Sequence, residues 1–316
     1  MSCNEQPSYR IVADNEPSIA VVRFDEQLLK YVQTDDTLQK KSFVDSCGDF
    51  WNVYNRRLLG LDDAPYYNDG LARFMGDTII ASLYADVHTA FADFSAVSER
   101  MAQLVARYKV LFPDRPAPLL QTHVSGLNRS IVTIDSLLSV SLDCYLGADY
   151  PLYAQRYHTY ELPLHTPERI IPDVAEVLLR NAILPPAGGS LLDVMVYEGR
   201  IAYLMSGLID DNSAEAVMGY TPQQAMWCSD YESKIWTAII EQSHLFATDN
   251  IIIRKYIQPS PFTATLTQDS PGRVGRWVGW RIVEAYAHSC GLSPRELAVD
   301  TLPTNEVLRL SGYMGK

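Results

Sequence analysis

No uninterrupted apolar run in this chain approaches the ~18 residues that a membrane-crossing helix requires, and no hydrophobic signal core is present. Clustered Lys and Arg are missing too: 26 basic residues against 38 acidic ones leave a net charge of −12. A nucleic-acid partner needs such clusters to displace counterions from phosphates, so the sequence argues against one. It argues against a basic patch for anionic lipid on the same ground. No Cys-x-x-Cys pair occurs, which removes the usual zinc-finger and redox motifs. Among His88, His123, His158, His165, His244 and His288 no two lie four apart, so no His-Glu-x-x-His helix can be written. A Gly-x-Ser-x-Gly elbow and a GxxxxGK[ST] phosphate loop are absent as well. No period of 20–50 residues recurs, and no Gly/Ser- or Pro-rich linker divides the middle of the chain.

What is present is apolar and aromatic. Of 316 residues 47% are hydrophobic, with 19 tyrosines and five tryptophans, which supports a sizeable core and excludes disorder. Cys47, Cys144, Cys228 and Cys290 are scattered. They could form two disulfides in an oxidising compartment, but free buried thiols are the favoured reading. The start, Met1-Ser2-Cys3-Asn4-Glu5-Gln6-Pro7-Ser8, has a cysteine after a small residue and before a polar stretch. It reads either as the mature start of a lipoprotein with Cys3 lipidated, or as a cytosolic terminus with a chance cysteine.

Residues 1–17 read as a tether and 18–316 as one domain. Ser18–Asp25 predicts a strand running into a helix at Asp25. N-terminal helices follow over about 25–111. Phe43, Phe50, Trp51, Tyr54 and Leu58 repeat at helical spacing, Gly70–Tyr84 predicts a second helix, and Asp86–Lys109 a third. A sheet spans about 118–146, with strands at Leu119–Val124, Ser130–Ile134 and Leu137–Tyr145, spaced tightly enough to suggest neighbours joined by hairpins. From Thr166 to about Leu310 the pattern is helical again. Helices, a small sheet and helices make the α+β class.

In a zincin metallopeptidase the helix beneath the sheet carries His-Glu-x-x-His, and a later helix often supplies a third, glutamate ligand. Here the corresponding positions are Pro172, Asp173, Val174, Ala175 and Glu176. Proline ligates nothing, and inside a helix it costs ~3 kcal/mol, so the helix is expected to start or kink there. Glu198-Gly199, about twenty residues later, resembles the third-ligand helix of Glu-type zincins. Asp173, Glu176 and Glu198 could hold a hard cation such as Ca²⁺ but make a poor zinc site. The competing reading is an exposed face with Glu176 paired to Arg180 at i,i+4.

The run Ser270-Pro271-Gly272-Arg273-Val274-Gly275-Arg276-Trp277-Val278-Gly279-Trp280 predicts a turn into a helix. Gly275 and Gly279 share a face and would admit a closely packed neighbour, while Trp277 and Trp280 are large anchors. Arg273 beside the glycine turn either clamps an anion or pairs internally with Glu198 or another acid, the latter being favoured. This run resembles the closing signature of the GldB-type gliding motility lipoproteins. Further segments in chain order resemble the same family: Leu142–Gly147, Tyr197-Glu198-Gly199, Gly219–Gln224, Met226-Trp227-Cys228, Glu232 with Ile235-Trp236, Leu245–Asp249 and Pro259–Phe262.

The resemblance implies a zincin-like fold with a degenerate metal site and no cofactor. It further implies a pseudoenzyme in the cell envelope, facing the periplasm, lipid-anchored through Cys3 and linked to gliding motility and type IX secretion. Unidentified envelope proteins would be its partners, with the membrane engaged through the lipid alone. Two alternatives remain open at this point: an active metallopeptidase using the carboxylates, and a glycan-binding module using the tryptophans.

Overall fold

The computed structural model describes residues 10–13, 19–61, 69–186 and 189–315. Cys3 and most of the expected tether lie outside the described residues. The described chain is mostly helical with one four-stranded mixed sheet, so the α+β class holds. It divides into two compact units. One comprises residues 16–105 with 116–170, the other residues 1–15, 106–115 and 171–316.

The first unit carries the sheet. β1 (Val21–Arg23) leads directly into α1 (Phe24–Gln33). α2 (Thr37–Cys47) and α3 (Asp49–Asn52) follow, and α3 continues into a π-helical turn, Val53–Leu58. Then come α4 (Asp69–Gly76), α5 (Thr78–Ala90) and the greater part of α6 (Ser95–Leu111). After them run β2 (Leu119–His123), β3 (Ile131–Ile134), β4 (Leu137–Ser141) and the short α7 (Tyr153–Arg156). Phe24, Leu28, Tyr31, Phe50, Trp51 and Tyr54 form one buried cluster, with Phe24 edge-on to Phe50 at 5.0 Å and Tyr31 edge-on to Trp51 at 5.2 Å. The aromatic repeat in the sequence is therefore a core stripe.

The strand order is β1-β2-β4-β3, with β1, β2 and β4 parallel and only β3 antiparallel, against β4. The expected chain of hairpins thus holds for β3–β4 alone, where Asp135 adopts a positive φ in the tight turn. β2 instead pairs with β4 and leaves β3 at the edge. β4 also ends at Ser141, short of the expected Tyr145, because a 3-10 turn (Leu142–Cys144) intervenes. That turn buries Asp143, whose carboxylate accepts from the backbone N–H of Ser125 (3.2 Å) and Leu127 (2.7 Å) and from the Ser141 hydroxyl (2.5 Å). Such a knot competes with strand pairing for the same backbone groups.

Two helix boundaries differ from the sequence expectation for a shared reason. Asp77 accepts from the N–H groups of Ile79 and Ile80, so it caps α5 and splits the expected Gly70–Tyr84 helix. Asp93 accepts from Ser95 N–H at 2.9 Å and opens α6, so α5 runs on through Asp86 to Ala90. The four described cysteines are free, as expected, but only Cys144 and Cys228 are buried, and Cys290 is exposed.

The second unit is helical. After the end of α6 it contains α8 (Ile170–Ala182, its first residue assigned to the other unit), α9 (Leu191–Leu208), α10 (Ala214–Met218) and α11 (Pro222–Glu241). α12 (Asn250–Ile257), α13 (Val274–Cys290), α14 (Pro294–Val299) and α15 (Thr304–Ser311) complete it. α9 and α13 form its central crossing.

Candidate functional site

Three helices of the second unit, α8, α9 and α13, bring the candidate residues together. Pro172 is the third residue of α8, in the first turn, where its missing N–H would be without an intrahelical partner in any case. Of the two sequence expectations, a helix start or a kink, the start holds: α8 begins two residues ahead of Pro172. Ile171, Val174, Ala175 and Leu178 are buried as the apolar stripe. Asp173 and Glu176 follow on the half-buried side. α9 opens with a capping box, Ser190 and Asp193, and carries Glu198 at its middle.

Arg180 holds the two glutamates together. Its Nη1 donates to Glu198 Oε1 (2.8 Å) and its Nη2 to Glu198 Oε2 (2.7 Å), a two-pronged pair. The same guanidinium donates to Glu176 Oε1 through Nε (3.0 Å) and Nη2 (2.8 Å). From α13, Arg276 Nη1 donates to both Glu176 oxygens at 2.9 Å and lies 4.0 Å from Glu198 Oε2. The i,i+4 pair expected between Glu176 and Arg180 is present. The face is not solvent, however: side-chain exposure is 2% for Arg276, 10% for Glu198 and 21% for Glu176.

Burial pushes the Glu176 carboxyl toward its neutral form. The positive charges of Arg276, Arg180 and Arg273 outweigh that effect and hold it well below the usual carboxylate range. Burial likewise opposes the charge on Arg180, and its pairing with Glu198 and Glu176 raises its pKa in spite of this. These donors do not fit a zincin's zinc. Both Glu198 oxygens are occupied by one guanidinium and both Glu176 oxygens by another, Pro172 offers no donor atom, and the positive charge a metal would bring is already supplied. Among the described residues no group of three or more His, Cys, Asp or Glu is arranged to hold a metal ion.

Arg273, at a positive φ just before α13, donates to the Met218 carbonyl oxygen. Its charge also acts on Glu176. Arg276, three residues further on, hydrogen-bonds to that carboxylate, and sequence reasoning passed it over. Its signal was its place between Gly275 and Trp277 in the signature run. Glu232 was another: its carboxylate is buried, accepts from Trp277 Nε1 and Tyr313 OH (each 3.1 Å) and lies 3.3 Å from Arg281 Nε.

The remaining signature residues hold the packing. A Cβ on Gly279 would overlap the Met195 carbonyl, and one on Gly199 would overlap the Gly279 backbone, so α9 and α13 cross in contact at these glycines. Gly275 faces another element, with Tyr256 and Ile257 of α12 about 3 Å from where its Cβ would stand. Gly272 packs on Ser260 in the same way, and the Pro271 carbonyl accepts from Thr263 at 2.8 Å. Tyr197 donates to the Ile183 carbonyl (3.3 Å), and Tyr220 to that of Gly272 (2.7 Å). Trp51, Trp236, Trp277 and Trp280 are buried, and Trp227 is half-buried against Tyr231.

Compared with known families, the chain matches the model described as "Gliding motility protein GldB" over residues 5–315. No curated protein and no solved structure matches it.

Proposed function

The chain belongs to the GldB gliding motility family, and from that premise we propose that it is a non-catalytic cell-envelope lipoprotein acting through protein contacts. In this reading its scaffold is zincin-like, Cys3 carries the lipid, the folded part faces the periplasm, and its work belongs to the machinery of gliding and type IX secretion. The observation that carries the non-catalytic part is the Glu176–Arg180–Glu198–Arg276 network. A peptidase zinc needs ligands with free lone pairs and an open position for water. Here two guanidiniums hydrogen-bond to both carboxylates and supply the positive charge that a metal would bring.

The second reading, a peptidase that uses Asp173, Glu176 and Glu198, would need Arg180 and Arg276 to swing away from acids they neutralise. No described helix is long and apolar enough to cross a membrane. Elemental analysis of the purified protein is the direct test of the first part. Substoichiometric metal and no hydrolysis of unstructured peptides are expected, and one zinc per chain overturns the reading. Metabolic labelling with a fatty acid tests the anchor: Cys3→Ala is expected to abolish the label.

A further inference from the structure

The unit that carries the sheet has a groove of about 820 Å³ between the π-helical turn Val53–Leu58 and the whole of β3. Two features meet there. Among the described residues β3 is the edge strand, hydrogen-bonded to β4 on one side only. Ser141 N–H donates to the Ser130 carbonyl, so in the antiparallel alternation the even-numbered residues face β4. Ile131 and Thr133 therefore direct their N–H and C=O groups toward the open edge. Such an edge is a template for an added strand unless it is covered or blunted.

The second feature is charge. In a chain of net charge −12, the groove is lined by Arg56, Arg57 and Arg129 against Asp49 and Asp135. Arg57 and Arg129 are exposed and form no ion pair with a described residue. The π-helical turn ends the helical stretch that begins with α3. Here it places Arg56 and Arg57 along the groove wall.

We propose that this groove binds an extended acidic peptide segment of a partner protein, which adds to the sheet at β3 and sets its Asp or Glu side chains against Arg57 and Arg129. Main-chain pairing with Ile131 and Thr133 supplies the register, and the arginines select for negative charge. The proposal gives the protein-contact reading its partner class and rests on that reading only for the existence of a partner. Metal content and lipid labelling are blind to it, so the two can fail separately.

The test uses the full chain and fluorescence anisotropy with a capped, labelled eight-residue peptide alternating Glu with Val and Thr. Its Lys-for-Glu counterpart, phosphatidylserine vesicles and a single-stranded oligonucleotide serve as rivals. Saturable binding of the Glu peptide alone is expected, weakening with added salt. Replacing Arg57→Ser or Arg129→Ser should lower affinity about two- to five-fold each. Thr133→Pro, which removes an outward N–H at a position where an edge strand tolerates proline, should abolish binding. Circular dichroism must show each variant folded, and the two arginine variants carry the test if Thr133→Pro does not fold. Equal binding of the Lys peptide, indifference to both arginine substitutions, or displacement by vesicles or oligonucleotide would each overturn the proposal.

Discussion

Arg276 is buried yet uses only Nη1 on the acids; its Nε and Nη2 are buried without a protein partner among the described residues. A buried charge of this kind is held in place by its counter-charge, and removing one side strands the other. Arg276→Met should therefore destabilise the protein by about 3–5 kcal/mol in urea denaturation. The double variant Arg276→Met with Glu176→Gln should recover a large part of that loss; strict additivity would show that the two side chains are not coupled. Acid tests the same pair. The folded Glu176 carboxyl is held below its ordinary value of 4.5, so its contribution is complete above that pH and is lost as pH falls through the depressed folded value. Wild-type stability should fall more steeply below about pH 4.5 than that of Glu176→Gln. His123 behaves in the same direction for another reason. Burial alone pushes its imidazole from 6.5 to about 3, while Nδ1 pairs with the Ser139 hydroxyl at 2.8 Å. Its NMR signal should stay in the neutral form until about pH 3, and protonation near pH 6 would show that the ring is not enclosed.

At the level of elements, the α9–α13 crossing depends on two glycines whose absent side chains let backbone meet backbone. Gly279→Ala has no accommodating direction, because its Cβ would fall on the Met195 carbonyl. A loss of about 3 kcal/mol or more is expected in thermal or chemical unfolding. Gly76→Ala, at the end of α4 with nothing within 4 Å of the added carbon, should be neutral or stabilising by up to about 1 kcal/mol. The shared face of Gly275 and Gly279 was legible in the sequence. That the two glycines admit different partners, α12 and α9, was not, because spacing along one helix says nothing about what approaches it. Pro172 was legible in part: proline is tolerated in a helix's first turn, and α8 begins at Ile170, two residues before it. The β2–β3 hairpin failed because short apolar runs specify strands without specifying neighbours, and the pairing of β2 with β4 is a long-range choice. Helix breaks at Asp77 and Asp93 were within reach, since aspartate ahead of Thr78 and Ser95 is a capping pattern that the apolar periodicity masked.

Over the whole molecule, the strongest sequence signal was the ordered run of family segments, and the structure shows what those residues do locally. Thr221 caps α11 with Gln224, Asp249 caps α12, Glu232 gathers Trp277 and Tyr313, and Glu198 takes both prongs of Arg180. Glu176 and Glu198 stood out in the sequence, which left open whether a cation or an arginine neutralised them, because a carboxylate pair serves either. The distinction has a thermodynamic consequence. A metal bound only by the native state stabilises by mass action, about 2.7 kcal/mol at a hundredfold excess over Kd. With the acids already neutralised by Arg180 and Arg276, neither EDTA nor added Zn²⁺ or Ca²⁺ should move the melting temperature of the wild-type protein. Arg180→Ala frees both Glu198 oxygens and one side of Glu176. In that background a calcium-dependent rise in melting temperature is expected, since paired carboxylates suit a hard oxygen-seeking cation. A fall on EDTA treatment of the untouched protein would mean that a metal, and not the arginines, completes the site.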